Sequence, residues 1–329
     1  MEVKLLRTVN SKVSLPDTLF APRAWRKNCN FRVPNSGFQK RGILAIQVSA
    51  APVGPIQSNL LRGPVSFPFR LAAKTRVDET QSYTLEGIRN SLIQQEDSII
   101  FSLVERAQFC YNAETYDSNG SLDGFQGSLV EYIVRETEKL HAKVGRYKSP
   151  DEHPFFPDDL SEPILPPLEY PKVLQPAADA ININVQIWEM YFRSLLPRLV
   201  KEGDDGNYGS AATCDIICLQ ALSKRIHYGK FVAEAKFRTS QDAYKSAIRA
   251  QDRAQLMDLL THPAVEEAVK RRVEQKTRRF GQELTVDGGE DATNPVYKIN
   301  PCLVAELYDN WIMPLTKQVQ VEYLLRRLD

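Results

Sequence analysis

From Ser82 onward the apolar residues recur every three or four positions. In TLEGIRNSLIQQEDSIIFSLVERAQFC, positions 85, 88, 92, 99, 103 and 107 share one helical face, and Thr84 is placed to cap its start. SLVEYIVRETEKLHAKVGRY predicts a second helix over about 128–147. SPDEHPFFPDDLSEPILPPLEYP is too dense in proline for a helix or a central strand, and predicts an extended crossover. Helical spacing resumes in ININVQIWEMYFRSLLPRLVKE and stops at GDDGNYGS, a turn rich in Gly and Asn. A further helix is expected from about 211 to 237, then two more in HPAVEEAVKRRVEQKTRRFGQ and NPCLVAELYDNWIMPLTKQVQVEYLLRRL. No segment alternates convincingly with period two. The expected fold is all-α, a single large helical domain over residues 66–329.

RIHYGKFVAEAKF, within the fourth of these helices, has an unusual face. On one continuous helix Arg225, Gly229, Val232 and Lys236 form a stripe with a cation at each end, roughly 16 Å apart, and a small middle. Such a face can seat a small dianion between its cations. It is equally the spacing of long cations snorkelling from a solvated face. Arg89 lies beside the apolar face of the first helix. Thr316 and Gln320 are i, i+4 neighbours, and Glu266 falls in the first turns of its helix, where a carboxylate suits the dipole. Each alone reads as a capping or satisfied polar group as readily as a site residue.

Composition narrows the function. The formal charge of +1 conceals an asymmetry: residues 1–70 hold eleven Lys and Arg against Glu2 and Asp17, whereas the remainder carries a net charge of −8. A body that acidic lacks the basic field of a nucleic-acid binder, so any anion it takes must be held by a few local cations. No apolar run approaches the roughly 20 residues of a membrane span, so no membrane partner is expected. The basic, nearly acid-free segment over residues 1–65 has no apolar signal-peptide core. It reads as an organelle transit peptide with cleavage near VSAAP at 48–52, or as a flexible arm that stays attached. Composition does not separate plastid from mitochondrial targeting. The five cysteines form no CxxC pair and have no histidine companions at zinc-site spacing, which favours reduced thiols over a metal. GxGxxG, GxxxxGK[ST] and GxSxG are absent.

Four long stretches, EDSIIFSLVERAQF, YKSPDEHPFFPD, NYGSAATCDIICLQALSKRIHYGKFVAEAKF and PLTKQVQVEYLLRRLD, resemble in the same order the eukaryotic allosteric chorismate mutases of fungi and plants. The resemblance spans about 82–329. It implies a homodimer of all-helical subunits and, for the plastid members, a transit peptide. It implies an isomerase that rearranges chorismate to prephenate, with no cofactor and no metal. By matched position, Arg89 and Arg225 would grip the two substrate carboxylates. Lys236 and Gln320 would donate to the ether oxygen, Glu266 would accept from the ring hydroxyl, and Thr316 would support the carboxylate end. Fungal members have Glu at the position of Gln320 and Asn at that of His262, for which a substrate contact and a helix-start role both stay open.

The resemblance also implies an effector site for tryptophan, tyrosine or phenylalanine at the dimer interface. Its matching positions are Arg146, Asn207, Gly209, Ser210 and Thr213, with Gly145 where fungal members have a second Arg. Without the resemblance, GNYGS reads as an ordinary interhelical turn. Two other readings share the fold: a non-catalytic helical regulatory protein, and a dicarboxylate binder without turnover.

Overall fold

The computed structural model describes residues 76–77, 84–118, 121–122, 124–166, 168–283 and 295–329, all within one unit, Pro68–Asp329. The transit-peptide reading of residues 1–65 lies outside them. Eleven α-helices follow in order: α1 Leu85–Arg106, α2 Leu129–Lys143, α3 Asn184–Met190, α4 Leu196–Leu199, α5 Tyr208–His227, α6 Gly229–Thr239, α7 Gln241–Arg249, α8 Arg253–Leu260, α9 Pro263–Gly281, α10 Pro301–Leu307 and α11 Met313–Leu325. Four strands of two residues each, β1 Arg76–Val77, β2 Ser121–Leu122, β3 Phe125–Gln126 and β4 Leu168–Glu169, form two minimal pairs. No described helix is long and apolar enough to cross a membrane.

α1 begins where expected: the Thr84 hydroxyl accepts from the Gly87 amide at 3.1 Å, and Ile88, Ile99 and Leu103 turn inward. α2 starts from Ser128, whose hydroxyl accepts from the Glu131 amide, and stops at Gly145, whose φ of 84° ends the helix. The described residues of the proline-rich crossover form no α-helix, only a short 3-10 turn at Pro157–Asp159 and β4 between irregular stretches. The buried Glu138 carboxylate satisfies its backbone, accepting from the amides of Phe155 and Phe156.

Three features differ from the reading of the pattern. The helix expected over 211–237 is two helices, divided at Tyr228 (ψ −13°), where the Phe231 amide bonds the Tyr228 carbonyl in a tighter i→i−3 turn. α7 and α8 are additional; each has fewer than ten residues, too few for a period to declare itself. The helices expected at 181–202 and 300–328 each contain a π-turn, Tyr191–Leu195 and Tyr308–Ile312, set just before Pro197 and Pro314. A helical proline removes an amide and crowds the preceding turn, and the wider turn relieves both.

α11 lies at the centre of the body. Nine of its thirteen residues are buried, including Thr316 and Gln320, so it shows no polar face to solvent. Glu234 on α6 fixes α6 against it. This buried carboxylate accepts from the Tyr323 hydroxyl (2.6 Å), from the Arg327 guanidinium (3.0 Å from Nη2) and from Arg238 (2.6 Å). A buried carboxylate bonded by several cationic donors is among the stronger side-chain clamps available.

Candidate active site

Arg225 stands in the last turn of α5, and its guanidinium is buried. Its Nη1 donates to the Thr316 hydroxyl at 3.4 Å, its Cζ lies 6.0 Å from the Tyr308 ring centre, and its Nε is buried without a partner. Thr316 in turn donates to the Ile312 carbonyl at 2.6 Å. Among the described residues no carboxylate pairs with Arg225. Glu96, which favours its charged form electrostatically, is already bonded through both oxygens by Arg272 (2.9 and 2.6 Å) and by Lys276 (3.2 Å). Burial consequently lowers the Arg225 pKa. A buried cation with no counter-ion is costly to a fold and is the usual mark of an anion site.

Gln320 sits one turn beyond Thr316, buried, with its carbonyl oxygen Oε1 unbonded. α6 approaches both residues at Gly229, where an added Cβ would stand 2.8 Å from the Thr316 carbonyl oxygen and 3.4 Å from Gln320 Cγ. The small middle of the stripe is therefore filled by α11. That overturns its reading as an open seat: the residue is glycine so that α11 can bring Thr316 and Gln320 alongside Arg225.

The far end of the stripe belongs to a second group. Lys236 on α6 is half-buried and donates to the Leu260 carbonyl at 3.1 Å. Burial lowers its pKa; Glu266 opposes that shift and Lys317 adds to it. Glu266, in the first turn of α9, accepts from Lys317 at 3.0 Å. His262 is exposed at the cap of α9, and its carbonyl accepts from the amides of Val265 and Glu266, which starts the helix through backbone alone. Lys317 was missed by the sequence reading, although it follows Thr316 directly.

Arg89 is exposed and makes no hydrogen bond or ion pair to a described residue. Its neighbour Ile88 packs with Tyr228 and Phe231, so this turn of α1 lies against the α5–α6 junction. An aromatic groove of ≈ 380 Å³ lined by Phe155, Phe156, Trp188 and Phe192 includes none of these residues.

Four of the five effector candidates lie at the other end of α5, and Arg146 does not join them there. Asn207, Gly209, Ser210 and Thr213 are exposed in its first turns, and the Thr213 hydroxyl donates to the Gly209 carbonyl at 2.8 Å. Two turns on, Gln220 accepts from Arg146 at 2.9 Å, while Arg146 also bonds Glu152 at 3.0 Å. Leu140 on α2, Val144 just after it and Ile217 on α5 are apolar yet at least half exposed.

The family profile of type II chorismate mutases matches residues 207–321. Chorismate mutase 1, chloroplastic, of Petunia hybrida is 65% identical over the whole of both chains. The crystal structure of AtCM1 with phenylalanine in its allosteric site is 72% identical over 77% of this chain and 100% of that one, with a TM-score of 0.71; that protein has also been solved with tyrosine there. The Aro7p chorismate mutase of Candida albicans, in complex with L-Trp, is 41% identical over 75% of this chain and 92% of that chain, with a TM-score of 0.69.

Proposed function

This chain belongs to the chorismate mutase family, isomerases regulated by aromatic amino acids, and we propose that its reaction is seated between Arg225, Thr316 and Gln320 on one side and Lys236 and Glu266 on the other. The observation that carries the proposal is the buried Arg225 guanidinium with no carboxylate partner among the described residues. The substrate, chorismate, is a dicarboxylate, and a guanidinium fork matches two carboxylate oxygens. Arg89, exposed and without a hydrogen bond or ion pair to a described residue, takes the second carboxylate.

The rearrangement to prephenate is intramolecular. The ether C–O bond breaks as a C–C bond forms through one cyclic array of six electrons, with no covalent enzyme intermediate. Holding both carboxylates favours the folded, reactive conformer. Lys236 and Gln320 donate to the ether oxygen, where negative charge grows chiefly in the transition state, so these bonds lower the barrier rather than merely bind. Glu266 accepts from the ring hydroxyl and Thr316 steadies the carboxylate held by Arg225. No cofactor takes part.

The regulatory reading is that tryptophan activates while tyrosine and phenylalanine inhibit, at a site built from Arg146, Asn207, Gly209, Ser210 and Thr213. α5 runs from that site to Arg225 and is the element that links them. The exposed Leu140, Val144 and Ile217 beside it are covered in a homodimer. A plastid transit peptide within residues 1–65, ending near VSAAP at 48–52, is in keeping with the chloroplastic relatives.

The test is consumption of chorismate by the purified chain with and without tryptophan. Conversion to prephenate that rises with tryptophan supports both sites. Conversion indifferent to tryptophan removes the effector reading alone, and a folded chain that binds chorismate without turnover removes the catalytic one.

A further inference from the structure

Two amines from different helices converge on one elbow. Thr261 and His262 join α8 to α9, and Glu266 rises from the first turn beyond. Lys236 of α6 donates to the Leu260 carbonyl at the end of α8. Lys317 of α11 donates to the next residue, the Thr261 hydroxyl at 3.4 Å, and to Glu266 Oε1 at 3.0 Å. The Thr261 hydroxyl spends its own proton on the Met257 carbonyl at 2.8 Å, so its oxygen is committed as an acceptor facing Lys317. Lys317 is therefore tethered at two points, and its side chain is only 18% exposed.

One carboxylate thus stands among two ammonium groups. Left alone, Glu266 would pair with another cation, and Lys236, whose charged form it already favours, is the one within its electrostatic reach. A Lys236 locked to Glu266 has fewer N–H bonds to spare for a substrate oxygen. The other charges nearby do not serve: Lys270, one turn along α9, is held by Asp309 at 2.8 Å, and Arg225 faces Thr316 and Tyr308.

We propose that Lys317 is a positioning residue that occupies Glu266 Oε1, aims Oε2 at the substrate and keeps the carboxylate from capturing Lys236. This rests on the roles given above to Glu266 and Lys236. Oε2 accepts no hydrogen bond from a described residue, as the arrangement requires. Lys317 lies one residue from Thr316 but points to the opposite end of the site, so α11 organises both the carboxylate grip and the ether-oxygen donors.

The experiment compares K317M, K317R, E266Q and the K317M/E266Q pair by kcat, KM and pH profile, with thermal melts to establish folding. K317M is expected to lower kcat by about 10- to 100-fold with a smaller change in KM, as misplacement of a catalytic group does. Its alkaline limb, set by Lys236, should move to higher pH, because Lys236 then has a carboxylate partner and one fewer cationic neighbour. K317R should recover most of the rate. In the pair, K317M should cost no more than about threefold beyond E266Q, since its effect passes through that carboxylate. Folded K317M with kcat within twofold of the parent, or full additivity with a damaging E266Q, would overturn the positioning role alone. A silent E266Q would overturn it together with the site assignment beneath it.

Discussion

The α-carbon of Gly229 faces the backbone of Thr316 so closely that a methyl group there would stand 2.8 Å from the Thr316 carbonyl oxygen and 3.1 Å from its Cγ2. Both atoms belong to a buried helix and have nowhere to move. G229A should therefore push α11 away from α6, at a cost of about 1–3 kcal/mol in stability. Because Thr316 and Gln320 move with α11, kcat/KM should fall by roughly 100-fold. A urea titration read beside steady-state kinetics checks both.

Gln320 donates as an amide at any physiological pH, so the rate should be flat around neutrality. In Q320E the same donation requires a protonated carboxyl in a buried position. The variant should gain an acidic optimum, with its rate falling as pH rises through the new carboxyl's pKa. The pH dependence of kcat decides this, and an unchanged profile would take Gln320 out of the site.

Asp215 is the counter-ion of the fully buried Arg106, from which it accepts at 2.7 Å, and it accepts from the hydroxyls of Tyr116 and Tyr191, each at 2.7 Å. This cluster joins α1, α5 and the helix carrying Tyr191. D215A leaves a buried guanidinium unpaired and should cost about 3–5 kcal/mol. Urea unfolding monitored by circular dichroism measures the loss.

The neutral histidines predict acid sensitivity. The Ile183 amide donates to His227 Nε2 at 2.9 Å, so the ring proton is on Nδ1, facing the Ser223 carbonyl. A second proton would set two donors against each other, and burial with the nearby Lys230 charge pushes the pKa down to about 3. A histidine depressed in the folded state contributes stability fully present above its ordinary pKa. That contribution is lost as pH falls from about 6.5 toward 3, by about 1.4 kcal/mol per pH unit. H227Q keeps an acceptor for Ile183 and does not titrate, so its stability should decline less steeply between pH 6 and 4.

Much of this was legible in the chain. The Thr84 cap, the buried face of α1 and the start of α9 follow from local spacing, and the helical class follows from their sum. What local pattern omits is contact between distant segments. Gly229 looked like an open seat because nothing near it in sequence announces Thr316 as its neighbour. The break at Tyr228 and the two π-turns arise from packing and from prolines whose effect falls on the preceding turn. α7 and α8 were too short to show a period. Lys317 escaped notice because the eye follows one helical stripe, and its partner Glu266 lies on another helix. The resemblance to a known family, more than any spacing, selected the site residues from many equivalent polar positions.

The most direct measurement is R225L, assayed for turnover and for thermal stability together. A guanidinium buried without a counter-ion burdens the fold and is retained for the ligand it meets, so leucine in its place should hold or raise the melting temperature. The same change should lower kcat/KM by about 1,000-fold or more, since a charge-assisted grip on carboxylate is lost from a dry site. A folded R225L that turns over chorismate within tenfold of the parent would contradict the account.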